Sequence, residues 1–183
     1  MSAAFYAFAF LVVANPFRWR LSVPEDDGRP RPQAIAIGLG LLIAATLAIT
    51  AAADTVLDWL DISPESWRIA AGVVVIGAGL WVMAFPQRRA EPELPGSMAG
   101  VVPTFFPVLL TPELFVLVKS TGADESVGLT MWALAVPVAG LVLLSSLRRS
   151  PPSETVLVGL SRLLGALAVV VGMALIISGI RDV

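Results

Sequence analysis

Six long apolar stretches, separated by short polar segments, constrain this chain more than any other feature of its sequence. Each stretch has 17 to 25 residues, and together they contain only three of the 12 basic and 14 acidic residues. A charge at the centre of a bilayer costs at least ~2.5–3.5 kcal/mol, so a membrane imposes this segregation. Because about 20 apolar residues of helix cross a bilayer core, the pattern predicts an all-α membrane protein with six transmembrane helices. The stretches are Met1–Phe17, Gln33–Ala53, Trp67–Phe85, Met98–Val118, Gly128–Leu147 and Val156–Ile180.

The composition argues against most soluble-enzyme and nucleic-acid functions. Hydrophobic residues make up 57% of the chain and charged residues 14%, against about 45–50% and about 25% in soluble domains. Cysteine and histidine are absent, which removes thiolate chemistry, the commonest metal ligand and the commonest general base. A net charge of −2 gives no reason to expect nucleic acid as a partner. We therefore expect no enzyme, no catalytic residues, no resident metal and no cofactor.

Basic residues alternate between the segments that join the apolar stretches. The first, third and fifth segments hold eight of them, whereas the second and fourth hold only Lys119. Since basic residues favour the cytoplasmic side, we expect those three segments to be cytoplasmic and both termini to lie outside. The first stretch has no basic residue before Phe5, and no clear small-residue cleavage site follows it, so we interpret it as a retained helix rather than a signal peptide.

The second connecting segment carries three aspartates on one helical face. Asp54, Asp58 and Asp61 are spaced i, i+4, i+7. They could form a cation site outside the membrane. Alternatively, the segment is an amphipathic helix on the outer leaflet, with aspartates towards water and Val56, Leu57 and Leu60 towards lipid. After it, Ser63 followed by Pro64 and Glu65 predicts the start of the third helix, with serine as the N-cap.

The two halves of the chain resemble each other, which predicts an internal repeat. Asn15-Pro16 in the first stretch corresponds to Thr111-Pro112 in the fourth, and Arg68 at the start of the third corresponds to Arg162 in the sixth. Each half has three spans, an odd number, so the second half must enter the membrane from the opposite side. This is the arrangement of an inverted-topology repeat, which is common in secondary transporters. The repeats would be residues 1–85 and 98–183 of a single membrane domain, joined by a cytoplasmic linker at 86–97.

Glycines recur every seven residues in the third and sixth stretches, which places each set on one helical face. Small residues let helices approach closely in lipid, so we expect these faces to pack; a glycine-lined substrate groove is the alternative. The glycines concerned are Gly72, Gly79, Gly165, Gly172 and Gly179.

Prolines inside the first and fourth stretches predict breaks in those helices. The fourth contains Pro103, Pro107 and Pro112, and each removes a backbone hydrogen bond. Two half-helices that meet near Thr111 would direct backbone donors or carbonyls at a small ligand. The alternative is a kinked helix packed by its neighbours.

The polar residues at these breaks are the candidate substrate-binding residues: Asn15, Pro16, Thr111, Pro112, Glu113, Arg68 and Arg162. Glu113 is the only acid in any apolar stretch, and it could carry a proton, bind a cation, or pair with an arginine or with Lys119. Asn15 could bind a zwitterionic or alcoholic ligand or cap a broken helix. Arg68 and Arg162 could hold a phosphate or carboxylate, or anchor helix ends among lipid headgroups.

These motifs resemble the MarC family of bacterial inner-membrane proteins, within the LysE-type transporter superfamily. The similarity runs through Asn15-Pro16, the segment Ile62–Gly72, the prolines that lead to Thr111-Pro112, and Ser161–Ile180. Thr111 and Glu113 stand where the family has glycines. The resemblance implies six spans and a transporter-like architecture in a bacterial plasma membrane.

Two functions of different classes fit this sequence. The first is a small secondary transporter or exporter of an unidentified small solute, with a polar site at the broken helices. The second is a non-transporting subunit that scaffolds a larger membrane complex, which has no need of converging polar residues. The expected partners are the lipid bilayer, the solute, and a homo-oligomer or larger complex.

The predicted topology can be tested by labelling single cysteines, because the natural chain has none. We expect Ala90→Cys to react with an impermeant maleimide only from the cytoplasmic side, and Asp58→Cys only from outside. Labelling of position 90 from outside would refute the topology.

Overall fold

The computed structural model describes residues 1–22, 25–26, 29–30, 32–85, 100–146 and 153–183. The predicted linker at 86–97 lies outside these ranges. The described residues form an all-α fold, apart from a ladder in which β1 (Glu25–Asp26) pairs antiparallel with β2 (Arg29–Pro30). The helices are α1 (Ala3–Ala14), α2 (Pro16–Ser22), α3 (Pro32–Ala51), α4 (Ala53–Leu60), α5 (Pro64–Ala84), α6 (Pro112–Asp124), α7 (Val127–Ser146) and α8 (Glu154–Asp182). An irregular helical segment, Gly100–Leu109, precedes α6.

Within the described residues, four helices are long and apolar enough to cross a membrane: α3, α5, α7 and α8. They correspond to the second, third, fifth and sixth predicted spans. The first and fourth predicted spans are each divided into shorter pieces, so the structure has four helices of spanning length where the sequence predicts six.

The first break lies at Asn15. Helix α1 ends at Ala14, and Asn15 has a φ of 50° and a ψ of 77°, in the left-handed region. Asparagine tolerates this region better than most residues. Pro16 then begins α2 at a position where a helix needs no N–H donor. The chain therefore stops one helix and starts another at the dipeptide that the sequence singles out.

The second break lies between the irregular segment and α6. Val102 and Phe106 have extended backbone conformations, which interrupt the helix twice before it ends at Leu109. Thr111 is extended as well, and its hydroxyl caps α6 by accepting a hydrogen bond from the backbone N–H of Leu114. Pro112 takes the first helical position. The fourth stretch is thus a broken helix.

Helix α4 covers the segment with the three aspartates. Asp54, Asp58 and Asp61 are exposed, and Trp59 is 83% exposed beside them. Leu57, predicted to face lipid, is instead buried, because α4 packs onto α6. The predicted start of the next helix is confirmed, since the Ser63 hydroxyl caps α5.

Helices α5 and α8 form the most extensive contact of the fold, and they run antiparallel. A Cβ atom built on Gly72 would lie 2.6 Å from the carbonyl oxygen of Gly172, and one on Gly79 would lie 2.5 Å from that of Gly165. In these contacts the residue numbers rise along α5 while they fall along α8, so the two helices are antiparallel. The prediction that the glycine faces pack is therefore confirmed. We call this contact the glycine seam.

The remaining helices enclose one apolar core around the seam. Side chains of α1, α6, α7 and α8 meet there, including the fully buried Phe10, Leu114 and Leu134. Helix α2 packs on α7 and α8, with Pro16 against Gly140, while α6 packs on α5. This packing brings the segments that follow both breaks to the side of the glycine seam.

Adding one methyl group to the seam should destabilise the fold. Gly72→Ala places a Cβ against backbone, so we expect the free energy of unfolding to fall by ~1–3 kcal/mol. Gly77→Ala is the matched control on α5, because nothing lies within 4 Å of its Cβ position; it should be neutral or stabilising by up to ~1 kcal/mol. Thermal unfolding in detergent micelles compares the two. Equal changes in stability for the two variants would contradict close packing at the glycine seam.

Candidate functional site

A small cleft lies where the two breaks approach the glycine seam. Its polar lining consists of Asn15, Arg18 and Glu113. The apolar lining comes from α1, α5 and α8: Val12, Val13, Val75, Ala78, Gly79, Val82, Gly165 and Ala168. Its volume is about 10 Å³, about what a single water molecule requires. The cleft as it stands is nearly filled by its own side chains.

Arg18 and Glu113 form an ion pair in this cleft. Nη1 of Arg18 donates to Oε1 of Glu113 at 2.7 Å, and the two side chains are 25% and 9% exposed. Arg18 lies in the first turn of α2 and Glu113 in the first turn of α6. The ion pair therefore joins the turns that follow the two helix breaks. Of the interpretations of Glu113 from sequence, the structure shows pairing with an arginine.

The Asn15 side chain is committed to internal hydrogen bonds. Its amide nitrogen donates to the backbone oxygen of Ser161 at 2.9 Å and to the Ser161 hydroxyl at 3.1 Å. Its amide oxygen accepts from the backbone N–H of Arg18 at 3.1 Å, which caps α2. Both donors are thus used, and Asn15 ties the first break to α8. The structure places Asn15 as a cap and a tether at the cleft, with Arg18 and Glu113 as the ionised groups there.

Thr111 is also a cap: its buried hydroxyl accepts from Leu114 at 3.3 Å. Pro16 and Pro112 begin their helices and shape the breaks through backbone geometry. The residues at the breaks are therefore structural supports, and the cleft that they position contains Glu113 and Arg18.

Arg68 lies in a separate cluster. Its Nε and Nη2 donate to both carboxylate oxygens of Asp124 at 2.9 and 2.6 Å, and its Nη1 donates to the Ser178 hydroxyl and to Asp182. Asp124 is nearly buried, with 7% of its side chain exposed, whereas Asp182 is 52% exposed. We call Arg68, Asp124, Ser178 and Asp182 the Arg68 cluster. It joins the start of α5 to the ends of α6 and α8.

Arg162 does not join either group. It lies on an exposed position of α8, although it follows Ser161, which bonds to Asn15. The sequence similarity between Arg68 and Arg162 therefore does not extend to their surroundings. Of the predicted site residues, Asn15 and Glu113 both line the cleft, Arg68 lies at the other end of α5 and α8, and Arg162 lies apart.

Sequence reasoning missed Arg18 and the carboxylates of the Arg68 cluster, and it considered Lys119 only as a partner of Glu113. Arg18 was counted as a cytoplasmic loop residue, although its position just after Pro16 places it on the helix that follows the break. Asp124 and Asp182 lie outside the predicted spans, so the sequence alone gave no sign that they pair with Arg68. Lys119 is 4% exposed, and its Nζ lies 4.2 Å from the centre of the Trp67 ring. A cation–π contact of this kind follows no regular spacing in the sequence, so it could not be predicted from the sequence.

Comparison of the chain with protein-family models, with curated proteins and with solved structures finds no significant match. The cleft is therefore interpreted from its own geometry.

Replacing Asn15 should weaken the fold through three separable contributions. Asn15→Ala loses the α2 cap and the bonds to Ser161, and it places at positive φ a residue that tolerates the left-handed region less well than asparagine; we expect ~2–4 kcal/mol of destabilisation. Asn15→Gly loses the same hydrogen bonds, but glycine adopts a positive φ without strain, so it should destabilise the fold less than Asn15→Ala. Ser161→Ala removes one side-chain bond and should cost about 1 kcal/mol. Chemical unfolding of the three variants measures these losses of stability. An Asn15→Gly variant that is less stable than Asn15→Ala would contradict the expected order.

Proposed function

We propose that the protein is a small secondary transporter or exporter of a bacterial plasma membrane, resembling the MarC family, with its solute site at the Arg18–Glu113 ion pair. Six crossings are proposed, two of them by the broken helices. Helices α1 and α2 have 12 and 7 residues, and we propose that they cross the bilayer as a pair. Both termini lie outside in this proposal, and the bilayer is the obligatory partner.

The observation that carries the proposal is the ion pair between the two breaks. Arg18 is two residues beyond Pro16 and Glu113 one residue beyond Pro112, and their side chains meet at 2.7 Å. Broken helices that meet at a polar centre are typical of transporter sites. Ionisable groups are costly inside a membrane, so a pair kept there indicates a function.

An inverted repeat is supported by two further contacts. The ion pair joins nearly equivalent positions of the two halves, as expected close to a pseudo-twofold axis. The glycine seam joins the third and sixth spans in opposite directions, with Gly72 on Gly172 and Gly79 on Gly165. An inverted repeat requires the third and sixth spans to be antiparallel.

The Arg68 cluster supports the proposed alternation of the spans across the membrane. Arg68 begins α5, whereas Asp124 and Asp182 end α6 and α8. With both termini outside, the third span starts outside and the fourth and sixth end there. All three residues then lie on the outer side, where the contacts bring them together.

The scaffold function remains the second candidate, and the size of the cleft favours it. A cleft with room for about one water cannot hold a solute without movement of its walls. The hydrogen bonds of Asn15 and Thr111 are also those of structural supports. A scaffold would keep the ion pair permanently closed.

Solute transport can be tested without knowing the substrate. Proteoliposomes that contain the purified protein are incubated with a radiolabelled or mass-resolved mixture of bacterial metabolites, and the trapped solutes are compared with empty vesicles. We expect at least one solute to accumulate, and Glu113→Gln to lower its initial rate by about 10²-fold or more, because this change leaves Arg18 without its counterion.

Glu125→Gln is the matched control, since Glu125 is a partly exposed acid beyond the end of α6, outside the cleft. It should transport like the natural protein. If no solute accumulates and the protein instead purifies with a stoichiometric membrane partner, the scaffold function is favoured. Equal transport rates for Glu113→Gln and Glu125→Gln would show that Glu113 is not part of the solute site.

A further inference from the structure

We propose that the Arg18–Glu113 pair and the Arg68 cluster are two gates, one at each end of a path along α6, that open in turn. This inference rests on the proposed transport function and describes how access to its site is controlled.

Both gates use the same face of α6. Glu113 and Asp124 are 11 positions apart, which is about three turns or ~16 Å along the helix and returns to within ~20° of the same direction. Ser120 lies on this face between them and is 2% exposed. A path along this face would therefore be closed by Arg18 at one end and by Arg68 at the other.

Each gate also joins the two halves of the chain. Arg18 and Arg68 belong to residues 1–85, whereas Glu113, Asp124 and Asp182 belong to residues 98–183. A movement that widens the contact between the halves at either end separates the ion pair at that end. The ion pairs are therefore placed where they control relative movement of the halves.

The glycine seam lies between the gates. Along α5, Arg68 is followed by Gly72 and Gly79, and then by Val82 at the cleft beside Arg18. At the seam glycines, backbone meets backbone without a Cβ between them. Packed helices with such contacts can shift by small sliding movements. Small sliding movements along the seam would let one end widen while the other stays closed.

Charge burial explains why the gates open in turn. Separating a buried ion pair leaves uncompensated charges, which is strongly unfavourable unless water reaches them. Opening one end admits water to one pair only. Opening both ends would separate both pairs and remove the polar contacts that join α6 to the first half at its two ends.

Single-cysteine accessibility tests the gates directly, because the natural chain has no cysteine. Ser120→Cys is the reporter, and an impermeant maleimide is added to either side of sealed vesicles of defined orientation. We expect slow labelling in the otherwise natural protein. Arg18→Gln should raise the labelling rate from one side at least about tenfold, and Asp124→Asn should raise it by a similar factor from the opposite side.

Conservative changes and a control separate gating from misfolding. Arg68→Lys keeps the charge but loses the bidentate hydrogen bonds to Asp124, so it should raise the labelling rate from the same side as Asp124→Asn, by a smaller factor. Arg18→Glu combined with Glu113→Arg restores a pair and should return labelling towards the slow rate. Glu125→Gln should leave labelling unchanged. Thermal unfolding of each variant is recorded in parallel.

The inference is overturned if Arg18→Gln and Asp124→Asn raise labelling from the same side, or if neither substitution changes the labelling rate. The assay needs no substrate, so its outcome is independent of the transport test. If the two variants are labelled from opposite sides but no solute is transported, the gates are supported and the transport function is contradicted. If a solute is transported but labelling shows no preferred side, the transport function is supported and the gates are contradicted.

Discussion

The close contact of α5 with α8 is the constraint on which the rest of the structure depends. Backbone meets backbone at Gly72–Gly172 and Gly79–Gly165, and a single methyl group at these positions would collide with a carbonyl oxygen. The absence of side chains there lets two long helices approach closely and leaves Gly79 and Gly165 as part of the cleft wall. The short helices α2 and α6 then pack beside them, and this packing brings Arg18 to Glu113.

The charges of the interior are distributed unevenly between the two halves. The described ion pairs at the cleft and in the Arg68 cluster take their arginines from the first half and their carboxylates from the second. Asn15 and Ser161 follow the same division, with the amide in the first half and its acceptors in the second. Polar contacts of this kind are specific as well as attractive, because an unpaired buried group is costly. They define one register between the halves that apolar packing alone would leave loose.

Local features of this fold could be predicted from sequence, whereas long-range partners could not. Proline chemistry places the breaks at Pro16 and Pro112, Ser63 caps α5 as expected, and glycine spacing identifies the seam. These depend on neighbours within one or two turns. Arg18 and Asp124 were missed because their importance comes from partners far away in the sequence: 95 residues for Arg18 and Glu113, and 56 for Arg68 and Asp124. Counting charge by loop assigned Arg18 to the cytoplasm, whereas the helix that starts at Pro16 draws it to the cleft.

The division of charge between the halves has a consequence for biosynthesis. A ribosome completes Arg18 and Arg68 long before their carboxylates exist, and Asn15 waits for Ser161 across 146 residues. Until then Arg18, Arg68 and Asn15 lack their final partners, so the polar contacts of residues 1–85 remain incomplete. The synthesis of α6 and α8 supplies those partners, so the assembly of the N-terminal half is completed only by the C-terminal half.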